Sequence, residues 1–228
     1  MLTYRRTLAA STLAVAVLTA TACTPGTDAP GGGDGTGGKP AARGTALAAV
    51  DTLTVKGRAP KTGYGREKFG RAWVDVDGNG CGTRDDILKR DLTGVRFTDG
   101  HCKVASGTLT DDPYTGTTVR YVRGRSKVDI DHVVALSDAW QKGAQKWDGE
   151  TRRRFANDPL NLLAVDSATN RRKSDGDAAT WLPPNRAYRC TYVARQIAVK
   201  RKYGVWVTAG ERDAMKRVLG ACPQQKLP

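Results

Sequence analysis

The chain has 228 residues, of which 39% are hydrophobic and 26% charged, and 37 lysines and arginines against 23 acidic residues give a net charge of +14. This composition is too polar for a polytopic membrane protein, yet it contains enough apolar residues to build a globular core. The positive excess indicates an anionic partner, such as nucleic acid. Because His101 and His132 are the only histidines, any site that needs three histidine ligands is excluded.

The amino terminus has the pattern of an export signal. Arg5 and Arg6 precede an apolar run of 13 residues, and the small residues that follow end at Cys23. The run is too short to cross a bilayer of ~30 Å as a helix, so residues 1–22 are predicted to be a signal peptide. Cys23 resembles the lipidated cysteine of bacterial lipoproteins, which would anchor the protein on the outer face of the cell membrane. Ordinary secretion is the alternative, since Ala20 stands where lipoproteins usually carry leucine.

Residues 23–44 are predicted to form a flexible linker, because positions 24–44 contain eight glycines and three prolines and show no apolar periodicity. The folded body is then 45–228, a length that suits one hydrophobic core. Loss of the signal peptide removes Arg5 and Arg6, which lowers the net charge from +14 to +12. The body therefore remains strongly basic.

The body retains four cysteines, and thiols of an exported chain meet an oxidising environment in which they pair. No Cys-x-x-Cys pair suggests zinc, so two disulfides are expected among Cys81, Cys102, Cys190 and Cys222. The sequence allows three connectivities. Pairing Cys81 with Cys102 and Cys190 with Cys222 is favoured, because each bond then closes a local unit on one side of the central motif.

Apolar periodicity and turn residues predict several elements in the body. In chain order these are a helix over 87–92, a β-hairpin with strands 117–123 and 127–134, a helix over 139–155, a strand over 161–165, and helices over 167–174 and 189–203. Asp166 or Ser167 would cap the helix over 167–174. Thr208 and Glu211 form a capping box that begins a last helix, which ends near Leu219.

An acidic, glycine-rich loop precedes the first of these helices. Asp75, Asp77 and Asn79 occupy positions 1, 3 and 5 of the EF-hand loop order, Gly80 occupies position 6, and Asp86 occupies position 12. Carboxylate and amide oxygens in this order are typical calcium ligands. The loop is therefore a candidate structural Ca²⁺ site.

The same loop departs from the EF-hand pattern in three ways. Position 12 is an aspartate, whose side chain is shorter than the usual glutamate, position 7 is Cys81, and flanking helices are not evident. The alternative is an acidic turn that pairs with Arg71 and Arg84. Arg84 is also a candidate ligand for a nucleic-acid phosphate.

The residues that carry the chemistry lie between 129 and 173. Asp131 and His132 stand at the end of a predicted strand, Asn161 begins the next strand, and Asn170 lies in the first turns of a helix. Asp131 and the amide oxygen of Asn170 are hard oxygen ligands of the kind that Mg²⁺ prefers. A histidine that is neutral near pH 7 accepts a proton from water. This pattern favours metal-assisted hydrolysis of a phosphodiester bond.

Two further expectations concern the arrangement of these groups. Neighbouring residues of a strand point to opposite faces, so Asp131 and His132 meet in one site only if the strand bends or ends there. Lys173, which lies three positions after Asn170 on the same helix face, and Arg171 are expected to bind flanking phosphates.

At these residues the chain resembles the HNH endonuclease family with the ββα-metal core. The stretches that carry the resemblance are IDHVVALSDAW, DPLNLLAV and NRRKSDGDAATWLPP. The match is closest to secreted actinobacterial HNH proteins related to the C-terminal domain of GmrSD-type, modification-dependent restriction endonucleases. The resemblance implies an α+β fold, with a ββα-metal core and flanking helices stapled by disulfides. It also implies that Asp131 and Asn170 bind one Mg²⁺ or Mn²⁺, that His132 is the general base, and that Asn161 holds the histidine loop.

The resulting prediction is an exported, metal-dependent endonuclease that hydrolyses DNA, with RNA as a further substrate class. The alternative is a non-catalytic, lipid-anchored surface module that binds an anionic cell-wall polymer or nucleic acid. The basic runs 152–154 and 200–202 fit both functions, because both partners carry repeated negative charges. Cleavage that depends on a metal ion distinguishes the two.

Overall fold

The computed structural model describes residues 42–228. The predicted signal peptide, Cys23 and most of the predicted linker lie outside the described residues. The first helix begins after Thr45, whose hydroxyl accepts a hydrogen bond from the backbone N–H of Ala48. None of the helices in residues 42–228 is long and apolar enough to cross a membrane.

Helices and short strands alternate along this part of the chain. The α-helices are α1 (Ala46–Val50), α2 (Thr83–Asp91), α3 (Leu136–Trp140), α4 (Gly149–Asn157), α5 (Ser167–Lys173), α6 (Arg189–Tyr203) and α7 (Ala209–Gly220). The strands are β1 (Thr93–Phe97), β2 (Val104–Leu109), β3 (Val119–Val122), β4 (Val128–His132) and β5 (Leu162–Asp166). Short 3-10 turns lie at Arg66–Phe69, Ala144–Lys146 and Arg186–Tyr188.

The strands form two antiparallel sheets, one with the order β1–β2–β3 and one that pairs β4 with β5. The predicted hairpin between 117–123 and 127–134 is therefore wrong. Gly124 does lie at a turn, with φ +82°, but the two strands leave this turn for different partners. Arg123 N–H continues the pairing with β2 by donating to Ala105 O, whereas Lys127 O accepts from Ser167 N–H beside β5. Non-local pairing has replaced the local hairpin.

Strands β4 and β5 and helix α5 form a ββα unit. Asp131 lies opposite Leu163 and His132 lies opposite Leu162 in the ladder. The side chain of Asp166 ends β5 and caps α5, because its Oδ1 accepts a hydrogen bond of 2.7 Å from Thr169 N–H. This unit, with the helices that surround it, confirms the predicted α+β fold.

Strand β5 is buried on both faces, which explains its continuous apolar run. Leu163 and Val165 pack into a core shared with helices α1, α6 and α7. Leu162 and Ala164 pack into a second core beneath α2 and the three-stranded sheet. Each face of β5 is thus packed against a separate apolar cluster.

The predicted helix over 189–203 is present, whereas the predicted helix over 139–155 is interrupted. Helix α6 has the predicted bounds and ends at Gly204, whose φ of +66° is of the left-handed kind that terminates helices. The predicted single helix over 139–155 is wrong. Gly143, with φ +128°, separates α3 from a 3-10 turn, and Asp148 caps a new helix by accepting a hydrogen bond from Thr151 N–H. The cap at Asp148 starts a new helix, although the apolar spacing predicted one continuous helix.

Both favoured disulfides are present. Cys81 and Cys102 join the acidic loop to the connection between β1 and β2, with Cα atoms 5.2 Å apart. Cys190 and Cys222 join the start of α6 to the segment after α7, with Cα atoms 6.5 Å apart. Each bond closes a local unit, and the two lie on opposite sides of the ββα unit in the sequence.

A buried ionic cluster links the helices behind the ββα unit. It consists of Arg58, Asp138, Lys142, Asp177, Lys200 and Glu211. The Lys142 ammonium is fully buried and lies 2.7 Å from Asp138, 2.8 Å from Asp177 and 2.6 Å from Glu211. Lys200 is buried in this cluster, so it does not contribute to a basic surface with its neighbours 201 and 202.

Candidate active site

Strand β4 ends at a polar cleft of about 320 Å³. Asp131, His132 and Asn170 all line this cleft, which we call the polar cleft. Because β4 ends at His132, two consecutive residues reach one cleft although a continuing strand would separate them. The remaining walls come from other loops and from the start of α3, namely Lys61, Tyr64, Arg66, Ile130, Ala135, Leu136, Ser137, Ser174 and Asp175.

The His132 imidazole is held in one orientation. Its Nε2 atom lies 2.8 Å from the carbonyl oxygen of Ala156. A carbonyl only accepts, so Nε2 must carry the proton, and Nδ1 of the neutral ring keeps its lone pair. Burial lowers the pKa of His132 to about 4, aided by the charges of Arg66 and Lys173 and opposed by the hydrogen bond to Ala156. The ring is therefore neutral near pH 7.

Asn161 fixes the chain immediately after His132. Its Oδ1 accepts a hydrogen bond of 2.8 Å from Val134 N–H, and its Nδ2 donates one of 3.2 Å to Val134 O. Its own carbonyl accepts from Val133 N–H at 2.8 Å. The side chain is fully buried, so it acts on the backbone of this loop and is not part of the polar cleft surface.

Asp131 is buried between two donors. Its Oδ1 accepts a hydrogen bond of 3.0 Å from Lys173 Nζ, and its Oδ2 accepts one from the hydroxyl of Tyr114. Burial raises the pKa of the Asp131 carboxyl, although Lys173 and Tyr114 both favour its ionised form. The two donors hold the carboxylate in place at the polar cleft.

The expected phosphate contact of Lys173 is wrong. Its amine is buried and also donates to the carbonyl oxygen of His132 at 2.9 Å. Lys173 does lie on the helix face that holds Asn170, but this face turns toward β4 and not toward solvent. An ammonium that compensates a buried carboxylate cannot reach a surface phosphate without exposing that carboxylate.

Asn170 is half-buried on α5 and contacts a further carboxylate. Its Nδ2 donates to Oδ2 of Asp129 at 3.3 Å, and within residues 42–228 its Oδ1 accepts no hydrogen bond. The amide is thus oriented with its nitrogen toward Asp129, and its oxygen remains available. Asp131 and Asn170 both line the polar cleft, and carboxylate and amide oxygens are the ligand types that Mg²⁺ and Mn²⁺ prefer. Asp129 contacts Asn170 but does not line the polar cleft.

Basic side chains lie in and around the polar cleft. Arg66 and Lys61 line the polar cleft, and Arg171 is exposed in the last turn of α5. The guanidinium of Arg84 lies 5.8 Å from the ring centre of Trp73, which itself stacks beside His132. Arg84 and Arg171 are thus near the site, but neither lines the polar cleft.

The acidic loop satisfies its side chains internally. Asp75 accepts hydrogen bonds of 2.8 Å from Gly78 N–H and Gly80 N–H, which lower its pKa. The Asn79 amide donates to Asp77 and to Asp86, each at 3.1 Å. The four predicted ligands are therefore brought together, but by an arrangement that needs no cation. Calcium binding by this loop stays a prediction.

Among the histidine, cysteine and carboxylate side chains of residues 42–228, the ligand atoms of one group of three converge, those of Cys81, His101 and Cys102. The two cysteines are joined to each other, so neither offers a thiolate to a metal ion. His101 is exposed in this disulfide loop.

Several residues of the site were not identified from the sequence. Tyr114 lies 17 positions before Asp131, and no spacing rule connects them. Asp129 shares the strand periodicity of Asp131, so its place on the same face was available from the pattern. Arg66 and Trp73 come from the irregular segment before α2, whose path depends on tertiary packing.

A family model that describes the C-terminal domain of GmrSD restriction endonucleases matches residues 82–218, which include β4, β5 and α5. An uncharacterized secreted protein of Arthroderma benhamiae is 41% identical over 180 residues, which cover 78% of this chain and 85% of that protein.

Proposed function

Because the chain belongs to the family of GmrSD restriction endonuclease C-terminal domains, we propose that it is an exported, metal-dependent endonuclease of the HNH type. Its proposed substrate is DNA, with RNA as a further substrate class. The observation that carries the proposal is the meeting of Asp131, His132 and Asn170 on the polar cleft at the end of β4. The family match and the composition do not by themselves show that these three side chains line one cleft.

His132 is proposed to act as the general base. Its Nε2–H is committed to Ala156 O, so Nδ1 is the ring atom that can take a proton from water. Neutrality near pH 7 keeps this lone pair available. Asn161 supports the role indirectly, because it holds both backbone groups of Val134 in the loop that follows the histidine.

Asp131 and Asn170 are proposed to hold one Mg²⁺ or Mn²⁺, with Asp129 beside them. The donor set fits such an ion, because it offers carboxylate and amide oxygens and neither thiolate nor imidazole. Two carboxylates against the single ammonium of Lys173 leave a negative excess. When bound, the ion would neutralise charge on the phosphate and on the leaving oxygen.

Substrate binding is proposed to rest on basic groups around the cleft, which are the exposed Lys61, Arg66 and Arg171 and the half-buried Arg84. Contacts of this kind position a phosphate backbone without reading its bases. Sequence preference is therefore expected to be slight, and affinity is expected to fall steeply with salt.

Export is the proposed route to the place of action. The sequence pattern of residues 1–22 and the secreted relative both support it. Lipidation of Cys23, which would hold the enzyme on the outer face of the membrane, is proposed from the sequence alone.

A plasmid-cleavage assay with purified protein tests the function. Supercoiled plasmid is incubated with Mg²⁺, with Mn²⁺ and with EDTA, for the wild type and for the Asp131→Ala and Asn170→Ala variants. We expect cleavage in both metals, none in EDTA, and a shift of the Mg²⁺ titration to higher concentration in each variant. Intact plasmid under all conditions, with DNA binding retained, would favour a non-catalytic binding module.

A further inference from the structure

A second cleft, of about 230 Å³, borders the polar cleft, and Arg66, His132 and Leu136 line both. We call it the apolar cleft. Its other walls are Glu67, Phe69, Gly70, Ala72, Trp73 and Ala156. Residues 66–73 precede the range that matches the family model, so this wall is supplied by chain outside the matched domain. A mostly apolar slot beside the proposed general base suits a flat, weakly polar group.

Trp73 gives the apolar cleft an aromatic platform. The half-buried indole lies nearly parallel to the His132 ring, with an interplanar angle of 21° and ring centres 6.2 Å apart. The Arg84 guanidinium lies 5.8 Å from the indole centre. Aromatic rings combined with arginine are the usual means by which proteins stack single-stranded bases.

The backbone of Trp73 is held in a strained conformation. Its φ is +59°, in the left-handed region that non-glycine residues rarely adopt. In the described part of the chain only Ser174 shares this feature among non-glycine residues, and Ser174 lines the polar cleft. Contacts with the start of α2 hold this conformation. The Thr83 hydroxyl donates a hydrogen bond to Val74 O, and Gly82 packs so closely on Trp73 O that a Cβ at position 82 would lie 2.8 Å from it. Strain that is maintained in this way is commonly found at binding sites.

We propose that the apolar cleft binds a nucleobase of the nucleotide next to the scissile phosphate, stacked on Trp73. The inference rests on the proposed function, since the shared residues His132 and Arg66 place the base beside the phosphate site. A base in a duplex must leave its stack to enter such a cleft, at a cost that an unpaired base does not have. The cleft therefore gives the enzyme a preference for unpaired or locally melted strands.

Equilibrium binding in EDTA tests the proposal without relying on cleavage. Fluorescence anisotropy compares two labelled single-stranded oligonucleotides of equal length and phosphate number, one with all bases and one with abasic sites. The first variant, Trp73→Ala, removes the aromatic platform. The second, Ala72→Leu, adds a larger side chain at an exposed position that lines the apolar cleft, so it narrows this cleft without removing an existing contact. Trp206→Ala is the control. Like Trp73, Trp206 is half-buried and has a cation near its ring, with Lys56 Nζ 5.4 Å from the ring centre, but it lines neither cleft. Thermal melts establish that each variant is folded.

The wild type is expected to bind the base-bearing strand about 5-fold to 150-fold more tightly than the abasic strand. The ratio should fall toward one in Trp73→Ala and in Ala72→Leu, and it should be retained in Trp206→Ala. An unchanged ratio in folded Ala72→Leu and Trp73→Ala overturns the proposal. Normal plasmid cleavage without any base dependence of binding overturns the base site alone, whereas base-dependent binding without cleavage supports the base site and overturns the nuclease.

Discussion

The Nζ atom of Lys173 lies 3.0 Å from Oδ1 of Asp131, and both side chains are buried beneath the polar cleft. The pair joins the last turn of α5 to the end of β4, so it fixes the helix that carries Asn170 against the strand that carries Asp131. Lys173 also donates to His132 O, which ties the backbone of the proposed general base to the same ammonium. One lysine therefore sets the relative positions of all three groups.

Lys173→Met is expected to destabilise the protein without weakening its contacts to DNA phosphates. Removing one partner of a buried ion pair leaves an uncompensated charge, at a cost of about 3 to 5 kcal/mol. Denaturant unfolding measures this cost. The exposed Arg171→Met is the control, and it should retain stability while the slope of log affinity against log salt loses about 0.9. A reduced salt slope in Lys173→Met, with normal stability, would contradict the buried role.

His132→Ala is expected to reduce plasmid cleavage by roughly 10² to 10⁴-fold, the usual contribution of a positioned general base. His101→Ala is the matched control, because it removes the chain's other histidine from an exposed disulfide loop. Rates are compared at equal protein concentration and saturating Mg²⁺. Equal loss in both variants, or loss in neither, would remove His132 from the mechanism.

Asn161→Ala is expected to cost about 3 kcal/mol and to slow cleavage as well. The substitution leaves Val134 N–H and Val134 O buried without their partners. Asn157→Ala provides the comparison, because that buried amide bonds only to Arg153 O within its own helix. Unfolding and turnover are measured on both, and wild-type turnover in Asn161→Ala would show that the histidine loop keeps its position unaided.

The Asp177 carboxylate makes stability depend on acid pH. Burial alone would raise its pKa, but Lys142 and Arg58 outweigh this and lower the pKa from 3.8 to about 2. Because the pKa is lower in the folded than in the unfolded state, the ionised Asp177 carboxylate stabilises the fold above about pH 4. This stabilisation is lost as the pH falls from about 4 to 2. We expect the stability difference between wild type and Asp177→Asn to shrink by about 2 kcal/mol over this range. Asp51→Asn, at an exposed pair with Lys216, is the control, and the same shrinkage there would refute the assignment.

Reduction of the disulfides is expected to lower the melting temperature. The bond between Cys190 and Cys222 spans 32 residues and should stabilise the fold by about 3 to 4 kcal/mol through loop closure. The double variant Cys190→Ser/Cys222→Ser isolates this bond from that between Cys81 and Cys102. Equal melting temperatures with and without reductant, in protein whose thiols are shown to be oxidised beforehand, would contradict the expectation.

The sequence by itself determined the local features. Helix α6, the cap of Thr208 on α7 and the cap of Asp166 on α5 follow from spacing and capping chemistry that act within a few residues. The pairing of four cysteines into two local loops was likewise recoverable from their order. The grouping of Asp131 and His132 with Asn170 was readable because strand, turn and helix are consecutive enough for a motif to span them.

Only the tertiary structure decided which partner each side chain meets. Spacing placed Lys173 on the face of Asn170, but the packing of α5 against β4 and β5 turned this face inward, onto Asp131. Strand β4 took the distant β5 as its partner, and β3 took β2, because burial of β5 between two cores outweighs a local hairpin. Tyr114 and Trp73 reach the site through the same long-range packing. Periodicity encodes which face is apolar, whereas contacts between distant segments depend on packing that no short window contains.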